Sequence, residues 1–416
     1  MNSEITQIIG EICTANSLGE SLRIFNRYSN RLQNCKIIFA AKNGTIPGFS
    51  INRDFSDGSV IRSLFGSGSV LVLDRETIDE MKIGRAIYPF DYSISLDTQA
   101  LSYLEPYILG NSSRLPKDFE EIFRFISRED VNVDPLPYIL ENLLNLSDPD
   151  KAERIFEKIK AYEVLRTIDV YALDNLGIVQ SKLDNAELIK RTQELISIMY
   201  RDLSDQKVVD GVKFNFDFCY WHLLAMISIQ LSTPKMSIEE KLRALIELCD
   251  SKLATLSLRE ITVAKAYFER GQNLTFFGKV QKGKKDLFSV VQGMAWDMWH
   301  IRQMEKNLTI RPSSEARYFF PSFLTCDKRL VEIIELYPLK ACAYDDRDLI
   351  PMPFFDGDWL ASLSSSKDFI EGLYSIYFSD KAVLSRNKRR DEATNVIKNS
   401  VSELESIVAE ISGVNP

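Results

Sequence analysis

Histidine is almost missing from this chain. Of 416 residues only His222 and His300 are histidines, so a histidine-rich metal centre or a Ser/His/Asp triad has very little material to work with. Cysteine is sparse and scattered. The six thiols, Cys13, Cys35, Cys219, Cys249, Cys326 and Cys342, include no C-x-x-C pair. That spacing argues against a zinc ribbon and against a disulfide framework, and makes reduced thiols in a cytoplasm the expectation. No apolar run approaches the roughly 20 residues that cross a bilayer. The opening MNSEITQIIGEICTANSLGE has neither the basic head nor the continuous apolar core of a signal peptide, so a cytoplasmic protein with no membrane partner is expected. A positive balance is lacking too: the formal net charge is −8, which argues against a surface that grips nucleic acid everywhere and leaves room only for a local basic groove.

What the chain does have is carboxylates, and any chemistry must rest mainly on them. With 45% hydrophobic and 26% charged residues it has the balance of a globular protein. Its length corresponds to two or three units at roughly 100 to 200 residues each.

The first ninety residues read as a small α/β unit. KIIFAAKNGTIPGFSI reads as a strand, an Asn-Gly turn and a second extended run, and GSVLVLDRETIDEM as a strand followed by a helix. GSGS at 66–69 precedes a strand and lacks a following Lys-Ser/Thr, so it is a turn and not a phosphate loop. Beyond Asp97 the chain turns helical. PKDFEEIFRFI opens with a proline suited to a first helical turn, DPDKAERIFEKIKAYEVL has apolar residues at helical spacing, and Ser237 and Glu240 are placed as a capping box. Residues 148–280 form an α-helical block. KKDLFSVVQGMAWDMWHIRQMEKNL reads as one long helix, TIRPSSEA as a loop, and RYFFPSFLTCDKRLVEII as a strand followed by a helix.

Two strand-to-helix transitions share one form. In SISLDTQALSYL the strand ends at Asp97 and a helix begins; in FFPSFLTCDKRLVEII the strand ends at Thr325 and Asp327 opens the helix. Helices between β-runs point to a parallel sheet, whose ligands gather at the carboxyl ends of the strands. Either aspartate can equally serve as a helix cap, worth about 1 kcal/mol. Glu141 interrupts an apolar stretch in PYILENLL and must face solvent or a cation. Asp297 lies among Met294, Ala295, Trp296, Met298 and Trp299, with His300 placed either to orient it or to serve as a hydrogen-bonded core histidine, and Gly293 predicting close backbone approach. Asp286 lies eleven residues earlier, about 16 Å along a helix axis, so it and Asp297 cannot hold the same ion.

The stretches SLDTQAL, PYILENLL, WDMWHI and FLTCDKRL resemble the successive acidic motifs of PIN-like nuclease domains, with LDT and TCD as the more specific parts. The resemblance implies an α/β fold: a parallel-sheet PIN-like domain from 91–147 and 281–340, interrupted by the large α-helical insertion 148–280. A small N-terminal α/β unit, 1–90, would precede it and a C-terminal helical extension, 341–416, would follow. It places metal-binding and catalytic acids on Asp97, Glu141, Asp297 and Asp327, with Asp286 as the rival to Asp297. Converging carboxylates need neutralising cations, and oxygen-rich clusters select Mg²⁺ or Mn²⁺. The implied activity is hydrolysis of RNA, sometimes DNA, to 5′-phosphate and 3′-hydroxyl ends. Bacterial enzymes of the type often act as toxins or in defence against phage. Lys284, Lys285, Lys328 and Arg329 are the expected nucleic-acid-binding cations. A regulatory protein partner and an oligomer are compatible with this reading. The alternatives are a catalytically inactive PIN-like scaffold and a helical protein-interaction module.

Overall fold

Among the described residues, β-branched and aromatic runs form nine strands: β1 (Cys35–Thr45), β2 (Arg53–Asp54), β3 (Val60–Arg62), β4 (Val70–Leu73), β5 (Phe90–Leu96), β6 (Val133–Asp134), β7 (Tyr318–Thr325), β8 (Leu339–Asp345) and β9 (Met352–Phe355). The computed structural model describes residues 3–48, 52–84, 86, 89–313 and 315–415. The architecture is mixed α/β, with two sheets and helices that dominate the middle and the end of the chain.

The first sheet has the order β4-β1-β8-β9, with β1 antiparallel to both β4 and β8. The helices Ser3–Thr14 and Leu18–Tyr28 cover it, burying Ile9, Ile12 and Phe25 against Ile37, Phe39 and Ala343. The second sheet has the order β2-β3-β7-β5-β6. Its β7-β5-β6 part is parallel, as expected, while β3 joins β7 and β2 joins β3 antiparallel. The strand β7 is buried along nearly all its length, which explains its unbroken apolar character. Pro321 is tolerated inside it because β3 pairs only with Phe323, Leu324 and Thr325, so a single ladder, with β5, is required at that position.

Two compact units emerge. The first comprises residues 1–209, 302–331 and 338–354 and contains both sheets apart from the last residue of β9; the second comprises 210–301, 332–337 and 355–416 and is helical. This grouping differs from the expected boundaries for a concrete reason. β1 pairs with β8 and β3 with β7, so the first ninety residues share both sheets with strands near the other end of the chain. Residues 148–280 are helical as expected, but they divide at 209 between the two units. The segment after 341 is not wholly helical, because most of β8 is a buried central strand within it.

Local expectations divide in the same way. The Ser237–Glu240 capping box forms, β5 stops at Leu96 and β7 at Thr325, and the helix Leu287–Asn307 is continuous. Asn43-Gly44 makes no turn. β1 runs through it with a register shift between Ala40 and Thr45, and a β-carbon on Gly44 would overlap the backbone of Val70. Glycine serves close approach at a bulge there. The second extended run expected after it ends at 49–51, outside the described residues. Gly293 is the reverse case: a β-carbon on it would meet nothing within 4 Å among the described residues, so no chain packs against it. In the second unit Trp221 donates to the Ser400 hydroxyl at 2.7 Å and Tyr220 to Glu405 at 2.9 Å, tying the long final helix Asp380–Ser412 to the helix Gln206–Ser232. Among the described residues, no helix is long and apolar enough to cross a membrane.

Candidate functional site

The carboxyl ends of β6, β5 and β7 lie side by side in the first unit. Asp97 remains in the ladder there, its amide donating to the Leu324 carbonyl at 3.0 Å. Its carboxylate performs two tasks. Oδ1 accepts from the Gln99 amide at 3.1 Å, the expected helix cap, and Oδ2 accepts from the Thr325 hydroxyl at 2.6 Å. Thr325 Oγ1 in turn accepts from the Asp327 amide at 3.0 Å. On the other side the Thr98 hydroxyl donates to Glu141 Oε2 at 2.6 Å. The LDT, TCD and ILEN stretches are thus joined in one hydrogen-bonded network, although Asp97 and Thr325 are 228 positions apart.

The charges around this edge are already matched in part. Asp327 Oδ1 accepts from the Arg329 amide at 2.9 Å and from its Nε at 2.9 Å, while Arg329 Nη2 pairs with Oδ2. Arg329, expected on substrate phosphates, is therefore engaged with an acid of the site. Lys328 lies along Gly58, whose φ of +93° and position leave no room for a side chain beside the lysine stem. The remaining expected residues belong to the second unit. Asp297 is half-buried in the helix Leu287–Asn307, Asp286 is exposed with Lys284 at 3.7 Å, and Lys285 is exposed.

Two acids at the edge had not been singled out from the sequence. Asp134 ends β6, accepts from the Leu136 amide at 3.0 Å and the Ser95 hydroxyl at 3.0 Å, and also binds the Ser93 hydroxyl. Burial pushes its pKa up, against the lowering effect of those hydrogen bonds and of Arg166. The signal for it was present: VNVDP repeats the strand–aspartate–helix form of ISLDT. Asp118 is 1% exposed and stands where it could cap the helix Phe119–Ile126, yet its carboxylate points elsewhere. It accepts from the amides of Asp57 at 3.1 Å and Ser59 at 3.0 Å and from the Ser59 hydroxyl at 2.9 Å, pinning the β2–β3 turn. That helix was expected to begin near Pro116; it begins at Phe119. No sequence pattern marks a partner some sixty residues away.

The thiol of Cys326 registers the local field. Burial pushes it up to about 12; a hydrogen bond with Ser59 opposes this, and Asp97, Asp118 and Asp327 push the same way as burial. It is a protonated thiol and not a nucleophile. Tyr103 is raised as well, chiefly by burial.

A divalent ion of the Mg²⁺ class needs several oxygens converging on one point. The donor set is of the right kind, but the arrangement satisfies itself internally. Asp327 is taken up by Arg329, and Asp97 by Thr325 and its own cap. Among the described residues, no group of three or more His, Cys, Asp or Glu is placed to hold a metal ion. With Arg329 on Asp327, these residues are not arranged to hold the ion.

Comparison with protein-family models, with curated proteins and with solved structures finds no match to this chain.

Proposed function

We propose that the first unit is a PIN-like nuclease module acting on phosphodiester bonds, in RNA first and DNA second, with Asp97, Glu141 and Asp327 as its acidic set and Arg329 holding that set at rest. The observation that carries the reading is the network through Thr98 and Thr325. Two threonine hydroxyls link Asp97 and the Asp327 stretch, at neighbouring ends of parallel strands where such sheets bind their ligands, with Glu141 from the helix Leu136–Asn142. Mg²⁺ or Mn²⁺ is the cation class that such oxygen donors select, and it would compete with Arg329 for Asp327. A cytoplasmic role as a toxin or phage-defence effector is the setting implied by the resemblance.

A second reading, a non-catalytic PIN-like scaffold, is favoured by a repeat of the same pair. β8 ends in Asp345, buried and bonded to the Arg347 amide at 2.9 Å, Nε at 2.8 Å and Nη2 at 2.6 Å. There the Asp-x-Arg ring only closes a strand. The two readings separate in one assay of purified protein with labelled single-stranded and structured RNA and DNA in Mn²⁺. The nuclease reading expects cleavage that Asp97→Asn and Asp327→Asn each reduce at least a hundredfold. Equal cleavage by those variants, or none by wild type and by Arg329→Gln, removes it.

A further inference from the structure

At the start of β7, the first unit opens a cleft of about 1230 Å³. Eight residues of strand, about 23 Å, separate it from the acidic edge. It owes nothing to the nuclease reading.

Each acid of this cleft has a polar partner, although the lining carries five carboxylates against four cations. Arg317, the residue before β7, places Nη1 2.9 Å from Glu76 and Nη2 3.0 Å from Glu80. The Lys36 ammonium lies 3.2 Å from Asp346 and 5.0 Å from the centre of the Tyr318 ring, and donates to the Arg317 carbonyl at 3.1 Å. Asp74 caps its helix at the Thr77 amide, 2.7 Å away, and accepts a hydrogen bond from the Tyr318 hydroxyl in a buried pair. Asp79 is paired with Lys82 at 2.7 Å.

Two lining cations are left over. Arg75 and Arg311 are exposed on the cleft, and neither makes an ion pair or hydrogen bond among the described residues; Arg75 acts on Asp79 only through space. The position of Arg75 is explained by folding only through the weak pull of Asp79 one turn on. It occupies the first turn of the helix Arg75–Lys82, where a cation opposes the helix dipole. The rest of the lining suits a flat polar molecule: the amides of Gln33 and Asn34 and the apolar surfaces of Ile83 and Pro312.

We propose that this cleft binds a small phosphate-bearing ring compound of the mononucleotide class, with the phosphate on Arg75 and Arg311 and the ring against the amide and apolar walls. Two guanidinium forks carry two positive charges, which a phosphate with up to two charges and three terminal oxygens balances more fully than the single charge of a carboxylate. A nucleic-acid strand fits poorly, because its successive phosphates would pass the exposed Glu76 and Asp79. The volume admits a ligand of nucleotide size together with ordered water.

The test is calorimetric titration of the full chain with orthophosphate, pyrophosphate and the four ribonucleoside monophosphates. Saturable binding of at least one mononucleotide is expected, with orthophosphate at least about tenfold weaker. Arg75→Gln and Arg311→Gln should each weaken binding about tenfold, as loss of a charge-assisted contact does, and Arg→Lys at either site should recover part of it. Unchanged thermal denaturation would show that these exposed substitutions leave the fold intact. No saturable binding, equal binding of orthophosphate and every nucleotide, or undiminished binding by the double variant overturns the proposal.

Discussion

The two ends of β7 pair their charges differently. At its start, one arginine, Arg317, is held by two glutamates, and two further arginines are left over; at its end, one aspartate, Asp327, is held by one arginine, and further acids stand beside it. The acid excess has a topological cause. Strands β5, β6 and β7 each pass into a helix, and helix N-termini favour aspartate for capping and for the dipole, so Asp97, Asp134 and Asp327 collect at one edge of the sheet. The unpaired Arg75 has no comparable cause, because it sits where the dipole disfavours it and reaches Asp79 only through space. Folding alone therefore accounts for much of the acidic edge and for little of the placement of Arg75.

The largest effect that sharpens this contrast is expected at Asp118. Its buried carboxylate satisfies three donors of the turn next to the end of β7, and Asp118→Ala leaves all three without it. At about 1 kcal/mol for each buried donor stranded, the loss is about 3 kcal/mol in urea denaturation. Asp97→Asn keeps an acceptor for the cap and should cost about 1 kcal/mol or less. A small loss at Asp118 would break the contrast, since the edge would then hold its acids without a folding reason.

The two Asp-x-Arg rings offer the next comparison. Arg329→Gln frees Asp327 beside Asp97, whereas Arg347→Gln frees Asp345 at the end of an antiparallel strand. If Arg329 stands in for a cation, Mn²⁺ affinity measured by electron paramagnetic resonance should rise about tenfold, or ~1.4 kcal/mol, in the first variant only. Equal behaviour of the two variants would assign both rings to strand closure.

Much of this edge was legible in the sequence because it is local. A strand, an aspartate and a helix follow one another within a few residues, so Asp97 and Asp327 could be placed at strand ends, and Asp134 carried the same signal in VNVDP. The network itself was less legible. Thr98 and Thr325 are the side chains that join the stretches, and nothing local marks a threonine as a tie to a residue 43 or 228 positions away. The sheet partners of the first ninety residues were hidden for the same reason: β1 reads as a self-contained strand, and only its pairing with β8 reveals where its edge is satisfied. Asn43-Gly44 misled because the pair suits both a turn and a bulge, and the close backbone of Val70 decides between them.

The smallest effect concerns pH and tests whether the acid excess costs stability. Burial raises the pKa of Asp134 in the folded protein above its unfolded value, so the native state holds this proton more tightly than the unfolded chain does. The resulting stabilisation is fully present below the unfolded carboxylate pKa, about 4, and is lost as pH rises through the folded value. Asp134→Asn removes that titration while keeping an oxygen for the Leu136 amide and setting an amide nitrogen, a donor to the serine hydroxyls, in place of the second oxygen. Urea midpoints followed upward from about pH 4 should therefore shift progressively in favour of the variant and then run parallel to wild type. A constant offset across the whole range would mean that hydrogen bonds from Ser93, Ser95 and Leu136 fully compensate the buried charge, and the end of β6 would then carry its acid at no cost.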